Sequence, residues 1–101
     1  MRIYLAGKLN ALSVDYLKNV SNMIKGAEKA RKQGHAVFNP CLDLLMGIVF
    51  GNYEYEDYVN NNMAWLEVAD EVWVLPEWEN SKGTRAEIER AKELNIPVRF
   101  M

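Results

Sequence analysis

Glu87, Ser81 and Gly83 stand where a polar loop, Pro76–Gly83, runs into a helix that continues past Ala91. If the helix starts near Ser81, then Thr84, Glu87, Ala91 and Leu94 share one stripe at helical spacing. Arg85, Glu89 and Glu93 fall towards the other side. A carboxylate then lies on or beside the inward face, and chemistry at a ligand is one reason to keep it there. The alternative is that Glu87 complements the positive end of the helix, as acidic first-turn residues commonly do. Ser81 suits an N-cap, and Gly83 allows a backbone or ligand to come close.

The preceding residues supply the scaffold. Glu71–Leu75 is a short run of β-branched and aromatic residues suited to a buried strand, ended by Pro76, which cannot donate to a ladder. A strand, a loop at its carboxyl end and a new helix form the place where open α/β sheets bind ligands. Arg2–Ala6 reads as a first strand, followed by Gly7 and a loop to about Leu12. Ser13 can cap the next helix, whose buried stripe is read as Leu17, Val20, Ile24 and Ala27, with Lys18, Lys25, Lys29 and Arg31 elsewhere. Gly34 is placed to end it. Ala36–Phe38 is a second strand closed by Asn39-Pro40, which makes a right-handed βαβ unit.

Cys41–Phe50 is apolar but follows a proline and contains Gly47. It suits a short helix over the carboxyl edge of the sheet, a mobile pocket wall that is partly a subunit interface. Tyr53–Val68 reads as a helix with Tyr55, Val59, Asn62 and Leu66 on one stripe. Asn60-Asn61-Asn62 has poor helix propensity, and Asn62 alone of the three falls on the apolar stripe. Ile96–Phe100 is the last strand. The order β-α-β-α-β-α-β predicts a flavodoxin/Rossmann-like α/β sandwich: a parallel sheet in order 2-1-3-4 with helices on both faces. Tyr4–Lys8, Phe38–Pro40 and Pro76–Gly83 would then surround one crevice.

With 101 residues the chain is expected to form one domain. A net charge of −2 makes no electrostatic case for polymeric nucleic acid or an anionic membrane. A lone cysteine, Cys41, excludes an internal disulfide, and no Cys/His spacing suggests a structural zinc. No apolar run approaches the roughly 20 residues of a membrane helix, and the amino terminus lacks a signal-peptide pattern, so the cytoplasm is the expected location. No cofactor is expected.

Four short motifs keep a common order: Tyr4-Leu5-Ala6-Gly7, Phe38-Asn39-Pro40, Ala69-Asp70, and the run from Leu75 to Glu87 containing Trp78-Glu79-Asn80-Ser81-Lys82-Gly83. Together they resemble the nucleoside 2-deoxyribosyltransferase-like superfamily, and within it the small bacterial and phage branch similar to 2′-deoxynucleoside 5′-phosphate N-hydrolases. The resemblance implies cleavage of a nucleoside or nucleotide N-glycosidic bond. Glu87 would be the nucleophile that captures C1′, as a carboxylate does in retaining glycosidases. Tyr4 would hold that carboxylate by its hydroxyl; without the resemblance it reads as a core aromatic.

The resemblance also bears on substrate. Transferases of free nucleosides place an aspartate where this chain has Ser81, whereas the monophosphate hydrolases have serine. A serine hydroxyl beside helix-start N–H groups can bind phosphate, and Lys8, in place of a usual proline, adds positive charge nearby. The expected substrate is therefore a 5′-monophosphate. Asn62 stands at the position of the family's second catalytic carboxylate, and an asparagine cannot protonate a leaving base. It can still read a base edge by hydrogen bonds. Glu54 and Asp57 are the nearby acids that a substitute would come from.

Gly7, Asn39 and Trp78 complete the expected binding set, Trp78 as a stacking surface or equally as a packed loop anchor. His35 is taken as solvated, Trp73 as core and Asp70 as structural, while Trp65 and Met63 suit helix packing or a subunit contact. The resemblance further implies a homo-oligomer, a dimer or dimer of dimers, joined through Cys41–Phe50 and Tyr53–Val68. Two other functions stay open: a nucleotide-binding protein with little catalysis, which Asn62 favours, and a purely structural interaction domain.

Overall fold

The computed structural model describes residues 1–9 and 13–101. The chain runs β1 (Arg2–Ala6), α1 (Ser13–Lys32), β2 (Ala36–Phe38), α2 (Cys41–Phe50), α3 (Tyr55–Leu66), β3 (Glu71–Val74), a 3-10 turn (Trp78–Asn80), α4 (Lys82–Glu93) and β4 (Val98–Phe100). The side chain of Ser13, the expected cap, and the end of the loop before it lie outside what is described.

The four strands form one sheet in the expected order β2-β1-β3-β4, every pair parallel. Strand alternation gives the sheet two apolar faces. Ile3, Leu5 and Trp73 face one way with Leu75, against Met23 and Ala30 of α1. Tyr4, Ala6, Val72 and Val74 face the other, against Leu66 of α3 and Ile88 and Ala91 of α4. Trp73 is core, as its position in a central strand predicts. β3 and β4 are shorter than the patterns suggested. Leu75 has left β3, although its N–H still bonds Ala6 O at 2.9 Å. Ile96 and Pro97 precede β4, and Pro97 O accepts from Val72 at 2.9 Å.

Three helix faces differ from the expectation. On α3 only Leu66 of the stripe Tyr55, Val59, Asn62 and Leu66 is buried, and Tyr55 is exposed because it lies at the helix start beside the cavity. On α1 the buried positions are Met23, Gly26 and Ala30, flanked by Val20 and Ala27, while Leu17 and Ile24 are exposed. The true stripe is rotated by about one residue because Met23 and the small residues let the helix approach the sheet more closely than Leu17 and Ile24 would. On α4 Ile88 replaces Leu94, which lies at the cap and is exposed. Gly34 does end α1, with a left-handed φ of 88° that suits glycine. His35 is not simply solvated: its ring stands edge-on to Trp73, centroids 5.5 Å apart, and Nδ1 lies 3.2 Å from the amino-terminal nitrogen.

The apolar segment after Pro40 is a helix with inverted amphipathicity. It buries Cys41, Asp43 and Gly47 and leaves Leu42, Leu45, Ile48, Val49 and Phe50 exposed. Burial raises the Cys41 thiol to about 11, which leaves it a poor nucleophile.

Candidate functional site

The carboxyl ends of β1 and β3 bring Gly7, Lys8 and the start of α4 together, and α3 closes the other side. A cavity of about 520 Å³ opens there. Glu87 lines it together with Gly7, Lys8, Asn62, Ser81 and Gly83. Tyr4 enters through Glu87: from the buried middle of β1 its hydroxyl donates to Glu87 Oε2. Glu87 and Tyr4, far apart in the chain, thus form one pair.

The pair's electrostatics follow from burial. Removing the Glu87 carboxylate from water raises it from 4.5 to about 7, and the Tyr4 hydrogen bond acts in the opposite direction by stabilising the anion. Burial, then the Glu87 charge, push the Tyr4 hydroxyl well above its ordinary value, with a smaller push from Asp43. Tyr4 therefore stays a proton donor to a carboxylate that ionises near neutrality.

At the start of α4, Ser81 is the N-cap, and the helix begins at Lys82, so Gly83 lies in its first turn rather than in the loop. Ser81 Oγ accepts from the Thr84 N–H at 3.2 Å and from Thr84 Oγ1 at 2.9 Å. A hydroxyl has two acceptor sites and one donor, so what Ser81 has left to offer is its proton. The Lys82 and Gly83 N–H groups precede the first intrahelical acceptors and point out of the helix end. A β-carbon at Gly83 would meet nothing within 4 Å. A hydroxyl donor, helix-start N–H groups, Lys8 and Lys82 make this end of the cavity suited to an anion.

The α3 wall consists of Tyr55, Tyr58, Val59, Asn62 and Met63. Asn62 Oδ1 is shielded from solvent and has no hydrogen-bond partner among the described residues. The sequence pattern puts Tyr55 on the helix stripe without a binding role, gives Tyr58 none, and offers Trp78 for stacking. Tyr55 and Tyr58 lie three residues apart on α3 and so share a face, which is the signal that could have found them. Tyr58 reaches past the cavity to α2, where any side chain at Gly47 would run into its hydroxyl.

Several expected residues are engaged elsewhere. Asn39 is not among the lining residues; its Oδ1 accepts from the Cys41 N–H at 2.9 Å and starts α2. The Trp78 ring packs against Phe100, centroids 5.3 Å apart, as a loop anchor. Asp57 takes the Glu54 N–H at 2.8 Å and caps α3, so this helix-end pair does not supply an acid to the cavity. Asp70 accepts from the Arg2 N–H at 2.6 Å and is structural; that bond, with the nearby Arg2 charge, lowers its carboxyl. Trp65 stacks on Phe38, whose ring in turn stacks on Tyr4. Helix α2 does not line the cavity but stands behind α3, with buried Asp43 accepting from Asn61 at 2.6 Å.

Among the described residues no group of three or more His, Cys, Asp or Glu side chains could hold a metal, and no helix is long and apolar enough to cross a membrane.

Comparison with known proteins agrees with this architecture. The family described as "Domain of unknown function (DUF4406)" matches residues 1–100. Among solved structures, a 2-deoxyribosyltransferase from the psychrotolerant bacterium Bacillus psychrosaccharolyticus is similar over 99% of this chain and 71% of its own, with 27% identity and a TM-score of 0.76. No curated protein matches the sequence. The likeness to the 2-deoxyribosyltransferase superfamily, expected from the motifs, is borne out, and so is the parallel α/β fold.

Proposed function

The chain belongs to the DUF4406 family, and from its site we propose that it cleaves or transfers the N-glycosidic bond of a nucleoside 5′-monophosphate. The carrying observation is the Tyr4–Glu87 hydrogen bond at the wall of a cavity whose other end suits an anion. The likeness to a 2-deoxyribosyltransferase supports glycosyl transfer as the reaction class.

Glu87, ionised and oriented by Tyr4, attacks C1′ through one carboxylate oxygen. The bond to the base breaks, and a glycosyl ester on Glu87 results, which water or a second base then resolves. Gly7, Lys8, Ser81, Lys82 and Gly83 hold the phosphate, with the Ser81 proton as donor. Tyr55 and Tyr58 form the surface on which the base lies, and Asn62 contacts its edge. No cofactor or metal takes part.

The test is release of base from a panel of nucleosides and their 5′-monophosphates, beside Glu87→Ala. Release that disappears in the variant, with a sugar-phosphate adduct on Glu87 in the quenched wild type, supports the mechanism. Equal turnover of a nucleoside and its monophosphate rejects the phosphate preference. Asn62 supports a second reading, a nucleotide-binding protein of little activity: tight binding of a monophosphate with no release from any of the panel would establish it.

The protein acts as a homo-oligomer joined through α2. This helix turns Leu42, Leu45, Ile48, Val49 and Phe50 outward while burying a carboxylate and a glycine, a pattern that suits a covered face.

A further inference from the structure

Resting on the glycosyl-transfer reading above, we infer that the leaving base is cationic before cleavage: a pyridinium bearing a carboxamide, which departs neutral and needs no proton. Among the described lining residues Glu87 is the one carboxyl, and it is the attacking group. Asp57 is committed to the helix cap of α3, and Asp43, buried behind the wall, to Asn61. From α3 the cavity is offered the Asn62 amide, which has no acidic proton to give a departing base. An unprotonated neutral base is a poor leaving group, and general acid catalysis typically contributes about 10²–10⁴-fold. A ring nitrogen that already carries positive charge removes the need for it.

The cavity also fits such a substrate by charge. The phosphate end holds Lys8 and Lys82, while the rest of the lining supplies the Glu87 carboxylate and two aromatic residues, Tyr55 and Tyr58, of the kind that attract a flat cation. A zwitterion with phosphate at one end and a cationic ring at the other matches both. Asn62 selects among cationic rings. Its amide presents one acceptor and one donor group, its oxygen has no partner among the described residues, and a carboxamide on the ring answers both.

The step balances without an added acid. A Glu87 oxygen forms the bond to C1′, and the C1′–N bond breaks with its electron pair passing to the ring nitrogen, which becomes neutral. Water then adds at C1′, Glu87 leaves as the carboxylate, and the proton of the water passes to solvent. Each turnover yields a sugar phosphate, a neutral base and one proton.

Four probes test this, each as the ribo- and 2′-deoxyribonucleotide: nicotinamide mononucleotide, N7-methylguanosine monophosphate, and adenosine and cytidine monophosphates. The expected result is a kcat/KM about 10²-fold or more higher for the two cationic probes, with one proton released per turnover and the nicotinamide probe preferred. Asn62→Asp should raise turnover of the neutral-base probes, and Asn62→Ala should remove the preference between the two cationic ones. Wild-type cleavage of neutral bases as fast as cationic ones overturns the inference, even if Asn62→Asp fails to fold. Provided that release still depends on Glu87, the reaction itself then stands. Preference for the methylated purine overturns the pyridinium assignment. No release from any probe overturns both.

Discussion

Tyr4 and Glu87, separated by 83 positions in sequence, share a hydrogen bond from phenol to carboxylate between the central strand and α4. The bond couples a rigid donor to a carboxyl that burial holds at about 7. Replacing Tyr4 by phenylalanine removes a hydrogen bond to a charged group, worth roughly 1.5–3 kcal/mol. Base release should fall by about 10–100-fold, since each 1.36 kcal/mol is tenfold. The acidic limb of the pH–rate profile should also move upward, because the group that lowers Glu87 is gone. A limb that stays in place would show that Tyr4 does not act on this carboxylate.

Glu87→Gln separates catalysis from stability. Activity should vanish. The folded carboxyl lies above its unfolded value of 4.5, so between 4.5 and about 7 the native state holds the extra proton and stability falls as pH rises. Ionising the buried group costs on the order of 3 kcal/mol. The variant should therefore be more stable than wild type above pH 7 and gain little below about pH 4.5, as measured by denaturant melts across that range.

Ser81 caps α4 and is proposed to hold a phosphate, and two substitutions distinguish the roles. Ser81→Ala loses the cap, about 1 kcal/mol, which lowers Tm by roughly 4–8 °C. Ser81→Asp keeps a capping oxygen while placing a negative charge where the phosphate is proposed to sit. Its Tm should stay near wild type while KM for a 5′-monophosphate rises at least about tenfold relative to the nucleoside. Equal effects on both substrates would exclude Ser81 from phosphate binding.

Gly47→Ala tests the support behind the cavity. The new methyl group meets the Tyr58 hydroxyl, so the ring must move. Overpacking of this kind costs about 1–3 kcal/mol. KM should rise although no lining residue has changed. An unchanged KM would show that Tyr58 does not set the wall.

Val49 is 75% exposed and Phe50 67%, on the helix proposed to join subunits. Val49→Asp should lower the molecular mass measured by light scattering to that of the single chain. A wild-type protein already at that mass across the working concentrations would refute the oligomer.

The sequence by itself determined the sheet and the motifs that meet at its edge. Short apolar runs, a proline or glycine after each and helices between them admit few topologies, so the order 2-1-3-4 and the meeting of Gly7, Lys8 and Ser81 followed from connectivity, while Glu87 was singled out by the motif resemblance. Local periodicity was weaker evidence for rotation about a helix axis. It placed Leu17 and Ile24 inward, whereas close approach to the sheet favours Met23, Gly26 and Ala30. Asn39 and Trp78 lie beside the right motifs, but a helix start and Phe100 claim their side chains through contacts that spacing does not encode. Only the tertiary structure supplied Tyr55 and Tyr58 as a wall, the Gly47 contact behind it and the buried Asp43. Each depends on how α2 and α3 pack, and side-chain volume in three dimensions decides that.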